Sequence, residues 1–238
     1  MDTKGNCILS SLPVGFRAVV IGASGGIGSA ICDVIADQPH LRELVRLSRS
    51  SQGFDLTDEN SIAAHASHLR ARPIHLLICA TGVLTIGDRS PEKALKHLDP
   101  EIMAAQFATN TIGPALIAKH FLPLLDRREK STAAFLSARV GSIGDNRLGG
   151  WISYRSSKAA LNQVVHTAAI EMQRTHPQAA VVAVHPGTVR TRLSAPYSSG
   201  HPTLSPSEAS SSIMKMLGQI TPDQTGKFFS YDGREIEW

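Results

Sequence analysis

The run Tyr154-Arg155-Ser156-Ser157-Lys158 sets a phenol and an ammonium group four residues apart. On a helix such positions share one face, so the two groups would stand side by side. A nearby positive charge favours phenolate and lowers a tyrosine pKa from its usual value of about 10. A phenol tuned in this way can pass a proton near neutral pH. Far upstream, Gly22-Ala23-Ser24-Gly25-Gly26-Ile27-Gly28 is a glycine loop of the kind that receives phosphate. A phosphate-bearing cofactor beside a proton-passing phenol implies hydride transfer coupled to proton transfer, the interconversion of a carbonyl compound and its alcohol.

These groups need a scaffold, and the apolar pattern predicts one. Residues 17–21 form a buried strand that runs into the glycines, and Ile27, Ala30, Ile31, Val34 and Ile35 then follow helical spacing. A second strand is expected at 43–48 and a short third at Phe54-Asp55-Leu56. Asp58 can cap a helix whose inner face carries Ile62, Ala63, Ala66 and Leu69. A further strand spans 74–79 and ends near Gly82. A helical region covers about 91–126, restarted at Asp99-Pro100 because proline suits a first helical turn. Strands at 133–137, 181–184 and 226–231 alternate with a long helix at 151–174 and another opened by Ser205-Pro206-Ser207-Glu208. Such alternation predicts an α/β fold, a doubly wound parallel sheet of Rossmann type. One dinucleotide-binding and catalytic domain would occupy residues 16–238, with 1–15 a short, loosely tied extension. Ligands of such sheets bind beyond the carboxyl ends of the strands, so the marked loops should converge on one rim.

The chain has 238 residues, 42% of them hydrophobic, enough for one well-filled core. The net charge of +4 is spread along the chain, and no basic stripe or aromatic RNA-binding motif accompanies it, so nucleic acid is not an expected partner. Cys7, Cys32 and Cys79 have no metal-ligand or paired spacing; no metal is expected, and free thiols suit a reducing, cytoplasmic setting. Residues 1–15 lack the apolar core of a signal peptide, and no stretch approaches the length of a membrane span.

The order Gly22-x-x-x-Gly26-x-Gly28, Asn110, Tyr154-x-x-x-Lys158 and Pro186-Gly187 resembles the classical short-chain dehydrogenases/reductases over about residues 17–231. Gly141-Ser142-Ile143, Gly149-Gly150-Trp151 and the ending Phe228-Phe229…Asp232-Gly233…Trp238 look like the C-factor and Sniffer-type carbonyl reductase branch. The resemblance implies roles. Gly22, Ser24, Gly26, Ile27 and Gly28 would receive the pyrophosphate. Ser48 and Arg49 follow the second strand, where the adenosine ribose is read; no acid stands there, and arginine suits a 2′-phosphate, so NADP(H) is the expected cofactor. Asp55 and Leu56 match the adenine-contacting position. Ala80 and Gly82 lie in Cys79-Ala80-Thr81-Gly82, where the family commonly has Asn-Asn-Ala-Gly, so the local hydrogen bonding must differ. Pro186, Gly187, Thr188 and Thr191 resemble the nicotinamide-side loop. Residues 192–204 suit either a mobile substrate lid or a plain loop.

The catalytic set implied is Tyr154, Lys158, Asn110 and Ser137. Tyr154 would exchange the proton with the substrate, while Lys158 would lower its pKa and bond the nicotinamide ribose. Pro114 lacks the N–H that would bond the carbonyl of Asn110, which frees that carbonyl for a water. The family's serine is commonly the second of a Ser-Ser pair, and here that register reads Ser137-Ala138. Ser137 and Ser142 therefore both stand as candidates to polarise the carbonyl. The helices near 99–126 and 151–174 carry more small and aliphatic residues than one sheet-facing stripe needs, which points to a homodimer. A small carbonyl or alcohol is the expected substrate; a dinucleotide-binding signalling protein of C-factor type is the other reading.

Overall fold

The computed structural model describes residues 7–197 and 202–238. Its centre is one six-stranded parallel sheet in the order β2-β1-β3-β4-β5-β6, formed by β1 Phe16–Ile21, β2 Leu41–Leu47, β3 Leu76–Cys79, β4 Ser131–Leu136, β5 Ala179–His185 and β6 Phe228–Ser230. The four central strands are buried along almost their whole length, which is why they read as continuous apolar runs rather than alternating ones.

Helices cover both faces. They are α1 Gly26–Ala36, the single turn α2 Arg49–Gln52, α3 Glu59–His68, α4 Pro100–Phe107, α5 Gly113–Phe121, α6 Ile152–Gln173 and α7 Pro206–Gln219. One core joins Val19, Ile21, Leu77 and Phe135 to Ile62, Phe121, Leu161 and Val165. The other joins Val20, Ile78, Ala134 and Val182 to Ile31, Ile35, Ile213 and Met214. The caps read from the sequence are present: Asp58 accepts from Asn60 N–H at 2.9 Å, and Ser205 with Glu208 forms a reciprocal capping box.

The structure departs from expectation at three places. Phe54-Asp55-Leu56 is not a strand. Asp55 Oδ1 accepts the Thr57 N–H at 2.8 Å, turning the chain at once, and Phe54 serves as a core side chain edge-on to Phe121. Residues 91–98 are not helical beyond a short turn at Leu95–His97, while α4 and α5 are joined by a π-helical turn over Ala108–Ile112, where Pro114 was expected to disturb the helix. Residues 7–15 are not loosely tied. Leu9 and Leu12 lie in the second core, and Ser11 Oγ donates to Gly218 O at 2.6 Å. Among the described residues no helix is long and apolar enough to cross a membrane. Ser198, Ser199 and Gly200, part of the expected lid, lie outside the described residues.

Candidate active site

β1 ends at Ile21, and the chain turns at Gly22 with φ of 86°. A side chain there would strike the carbonyl of Ala80, and one at Gly28 would strike the carbonyl of Gly22, so glycine is required at both. Gly25 caps α1 without any side-chain bond, and the first turn carries no acid. Ser24, Gly25 and Gly26 are exposed. The free amides and positive end of an 11-residue helix therefore face solvent, the arrangement that fits a pyrophosphate. Thr191 is brought to this loop: a Cβ on Gly26 would lie 3.0 Å from its methyl group.

After β2, Ser48 is buried and its hydroxyl lies 2.5 Å from that of Ser51, within its own turn. Arg49 is exposed at the rim and, among the described residues, has no hydrogen bond or close ion pair from its guanidinium, though its charge helps to lower the Asp55 pKa. Asp55 spends one oxygen on Thr57, whose hydrogen bonds hold its pKa below the usual carboxylate range. Leu56 packs so closely on α5 that only glycine fits at 113.

Asn110 sits in the π-helical turn and is fully buried. Proline at 114 denies its carbonyl the ordinary helical partner, and the turn widens there. Its amide Oδ1 accepts from Val83 N–H at 2.8 Å, while Nδ2 lies 2.9 Å from Val83 O, 3.2 Å from Gln106 Oε1 and 3.1 Å from Ser157 Oγ. This clamps the chain after β3. A Cβ on Gly82 would lie 3.2 Å from Lys158 Nζ and 3.3 Å from Asn110 Oδ1, so these three residues meet. Across the fold, Gly141 lets the loop after β4 rest on the backbone of Lys158.

Tyr154 and Lys158 are buried on the same face of α6, at 8% and 3% exposure. Lys158 Nζ donates to Leu136 O at 2.9 Å. Burial pushes the lysine down to about 8. Burial also raises the Tyr154 pKa, the reverse of the lowering expected from its cationic neighbour. Desolvation of the phenolate outweighs any help from the lysine here, so the phenol is held protonated.

Ser137 Oγ donates to Asn162 Oδ1 at 2.6 Å, one helical turn beyond Lys158. Ser142 Oγ accepts the Asp145 N–H at 3.0 Å, which leaves its own hydrogen free to donate. Beyond β5, Gly187 turns with φ of 82°, and Thr188 O accepts the Leu204 N–H at 2.9 Å. Pro186 and Thr188 thus stand on the same rim as Thr191. His185 at the strand end is pushed down to about 4 by burial and stays neutral.

A family model described as short chain dehydrogenase matches residues 40–201. This chain belongs to the short-chain dehydrogenase/reductase family. It is an oxidoreductase acting on CH–OH and C=O groups. The 1-hydroxy-2-glutathionyl-2-methyl-3-butene dehydrogenase of Rhodococcus sp. (strain AD45) is 30% identical over 188 residues, 78% of this chain and 79% of that protein. C-signal of Myxococcus xanthus is 31% identical over 176 residues, 74% of this chain and 99% of that protein. The fold resembles that of the NADPH-bound carbonyl reductase from chicken fatty liver, with a TM-score of 0.82 at 22% identity over 96% of this chain and 97% of that one. It also resembles the carbonyl reductase Sniffer of D. melanogaster, with a TM-score of 0.81 at 20% identity over 95% and 100%.

In this short-chain dehydrogenase/reductase, a segment read from the sequence only as a mark of its branch lies beside Tyr154. Gly149, Gly150 and Trp151 have φ of 63°, 66° and 52°, and the tryptophan is the one positive-φ residue other than glycine among the described residues. Holding a bulky residue there costs about 1–3 kcal/mol. The Glu92 carbonyl accepts the Trp151 N–H at 2.5 Å, and the buried Glu92 carboxylate accepts the Ser153 hydroxyl. Arg155 Nε donates to the carbonyls of Gly149 and Gly150 at 3.2 and 2.9 Å. The Gly-Gly pair before an aromatic residue was the available signal. At the opposite end of the sheet, His75, Asp126 and Glu129 cluster with ligand atoms within 4.8 Å. His75 Nδ1 accepts the Arg17 N–H at 3.2 Å, and its Nε2 lies 3.6 Å from Asp126 Oδ2 and 3.5 Å from Glu129 Oε2.

Proposed function

We propose that this protein interconverts a small carbonyl compound and its alcohol with NADP(H), Tyr154 exchanging the proton. The observation that carries this reading is the convergence of buried Tyr154 and Lys158, Asn110 and Gly82 on the rim that also holds the exposed first turn of α1 at Gly25 and Gly26. A bound NADPH would supply the hydride. The glycine loop, with Ser24, Ile27 and Thr191, would hold its pyrophosphate, and Arg49 its 2′-phosphate. The NADPH-bound carbonyl reductase and an NADP-bound short-chain dehydrogenase/reductase from Burkholderia multivorans among the neighbours support that choice.

A phenol kept protonated by burial is a proton donor to a developing alkoxide. Lys158, with its pKa pushed down to about 8, can exchange a proton near neutral pH and so return one to Tyr154. Asn110 holds the loop carrying Gly82 against Lys158. Of the two serines, Ser137 would have to release Asn162 before it could face a substrate oxygen, whereas Ser142 keeps a free hydroxyl proton.

The reading is tested by following NADPH oxidation against a panel of aldehydes, ketones and quinones. C-signal, similar over 99% of its length, favours a second reading as a signalling protein. NADPH binding without turnover on the whole panel would select it. We further place the protein in the cytoplasm as a homodimer. The groove along α5 and α6 combines small and apolar residues, among them Ala115, Ala118, Val164 and Ala168, with Lys119, Gln163, Thr167 and Glu171, a mixed surface on which the same groove of a second copy would pack. A monomer by light scattering at micromolar concentration would contradict the assembly.

A further inference from the structure

Trp151 stands immediately before α6, its ring centroid 6.3 Å from that of Tyr154 and 5.5 Å from that of Tyr197, both edge-on at 72°. Tyr197 belongs to the segment after β5, and its hydroxyl lies 3.1 Å from Thr85 Oγ1, on the chain after β3. Three separate parts of the rim therefore meet through aromatic rings beside the proton-exchanging phenol. Trp151 and Tyr197 are only half-buried, so part of each residue remains exposed.

The tryptophan is not placed there by default. Its left-handed backbone is disfavoured for any side chain, and Glu92 on one side and Arg155 on the other hold it. A position that keeps an unfavourable conformation through bonds from both flanks fixes the direction of the indole. The wall it makes carries no charge. Its π faces and edges favour flat aromatic partners over saturated ones of equal size.

We propose that Trp151, with Tyr197, is a specificity-determining wall that selects flat, uncharged aryl carbonyl compounds at Tyr154. This rests on the reductase reading above. Benzaldehyde and cyclohexanecarbaldehyde are matched in carbon count and differ in ring unsaturation. The intact protein should prefer benzaldehyde in kcat/KM. Trp151→Gly suits the left-handed backbone and so should fold. It should lower the aryl-to-saturated ratio by about twofold to tenfold, the span of an aromatic pair beyond its buried area, and leave NADPH affinity unchanged. Tyr197→Ala, on a surface segment, should lower the same ratio.

A parallel measurement separates failure of this proposal from failure of the reductase reading. Benzamide and cyclohexanecarboxamide, which cannot be reduced, are titrated calorimetrically into the NADP-loaded protein and its Trp151→Gly variant. Tighter binding of benzamide that is lost in the variant supports the wall even if neither aldehyde turns over. Equal affinity for the two amides, or an aldehyde ratio unchanged in both variants, would overturn it.

Discussion

Asn110 and Val83 are paired as two strand residues would be: Oδ1 accepts the Val83 N–H at 2.8 Å and Nδ2 donates to Val83 O at 2.9 Å. The side chain thereby replaces a missing strand partner for the loop after β3. Because that loop carries Gly82 against Lys158, one amide joins the π-helical turn to the candidate catalytic lysine. Asn110→Asp keeps the acceptor and deletes the donor, turning a carboxylate oxygen toward Val83 O and Gln106 Oε1. The expected loss is on the order of 2–3 kcal/mol, typical of buried polar groups left unpaired. Urea unfolding measures it, and an unchanged midpoint would contradict the clamp.

Lys158 is destabilising as a buried cation. Its pKa of about 8 in the fold lies below the ordinary lysine value of 10.5. The folded form therefore bears the cost fully below pH 8 and is relieved of it as the pH rises toward 10.5, where the unfolded chain also loses its proton. That shift corresponds to about 3 kcal/mol. Lys158→Met should gain stability at pH 7, reduced by the loss of the bond to Leu136 O. Its advantage over the parent should shrink between pH 8 and pH 10.5 in the cofactor-free protein. A difference in thermal midpoint that stays flat across that window would refute the shift.

Much of this was legible in the sequence for physical reasons. Buried parallel strands leave continuous apolar runs, and glycine loops mark strand ends, so all six strands of the sheet could be read. Pro114 announced the disturbed helix at Asn110, because a missing N–H is a local fact. The strand expected at Phe54 failed because an apolar residue beside a turn-forming aspartate looks the same as a strand end. The direction of the Tyr154 shift was not legible, since spacing gives the neighbouring charge but not the depth of burial that outweighs it. Trp151 was legible only as a mark of the branch, in Gly149-Gly150-Trp151. Its importance lies in a backbone angle and in Glu92 and Tyr197, which approach from distant parts of the chain.

Arg49 is exposed just after β2, with no acid in Ser48-Arg49-Ser50 and only the charge of Asp55 acting with it. Arg49→Asp would turn a charge-assisted phosphate contact into repulsion. NADPH affinity should fall far more than NADH affinity in fluorescence titrations. Equal affinity of the parent for the two cofactors would remove the basis for choosing NADP(H).

Ser137 and Ser142 make opposite predictions from their hydrogen bonds. Ser137→Ala removes a buried bond to Asn162 and should lower the unfolding free energy by about 1 kcal/mol. If a serine polarises the substrate carbonyl, its replacement should cost roughly hundredfold in rate, as for other oriented donors to a developing oxyanion. Both variants are measured side by side on the same carbonyl substrate. If neither falls by about tenfold, Tyr154 works without a serine partner.

On the proposed mechanism the Tyr154 hydroxyl exchanges the proton. Tyr154→Phe removes one oxygen atom from a buried ring and leaves the packing of α6 intact. Carbonyl-dependent NADPH oxidation and NADPH binding by fluorescence, measured on the same preparation, separate chemistry from cofactor affinity. The account predicts loss of turnover by at least about a hundredfold with NADPH affinity retained. Turnover within a few-fold of the parent would contradict it.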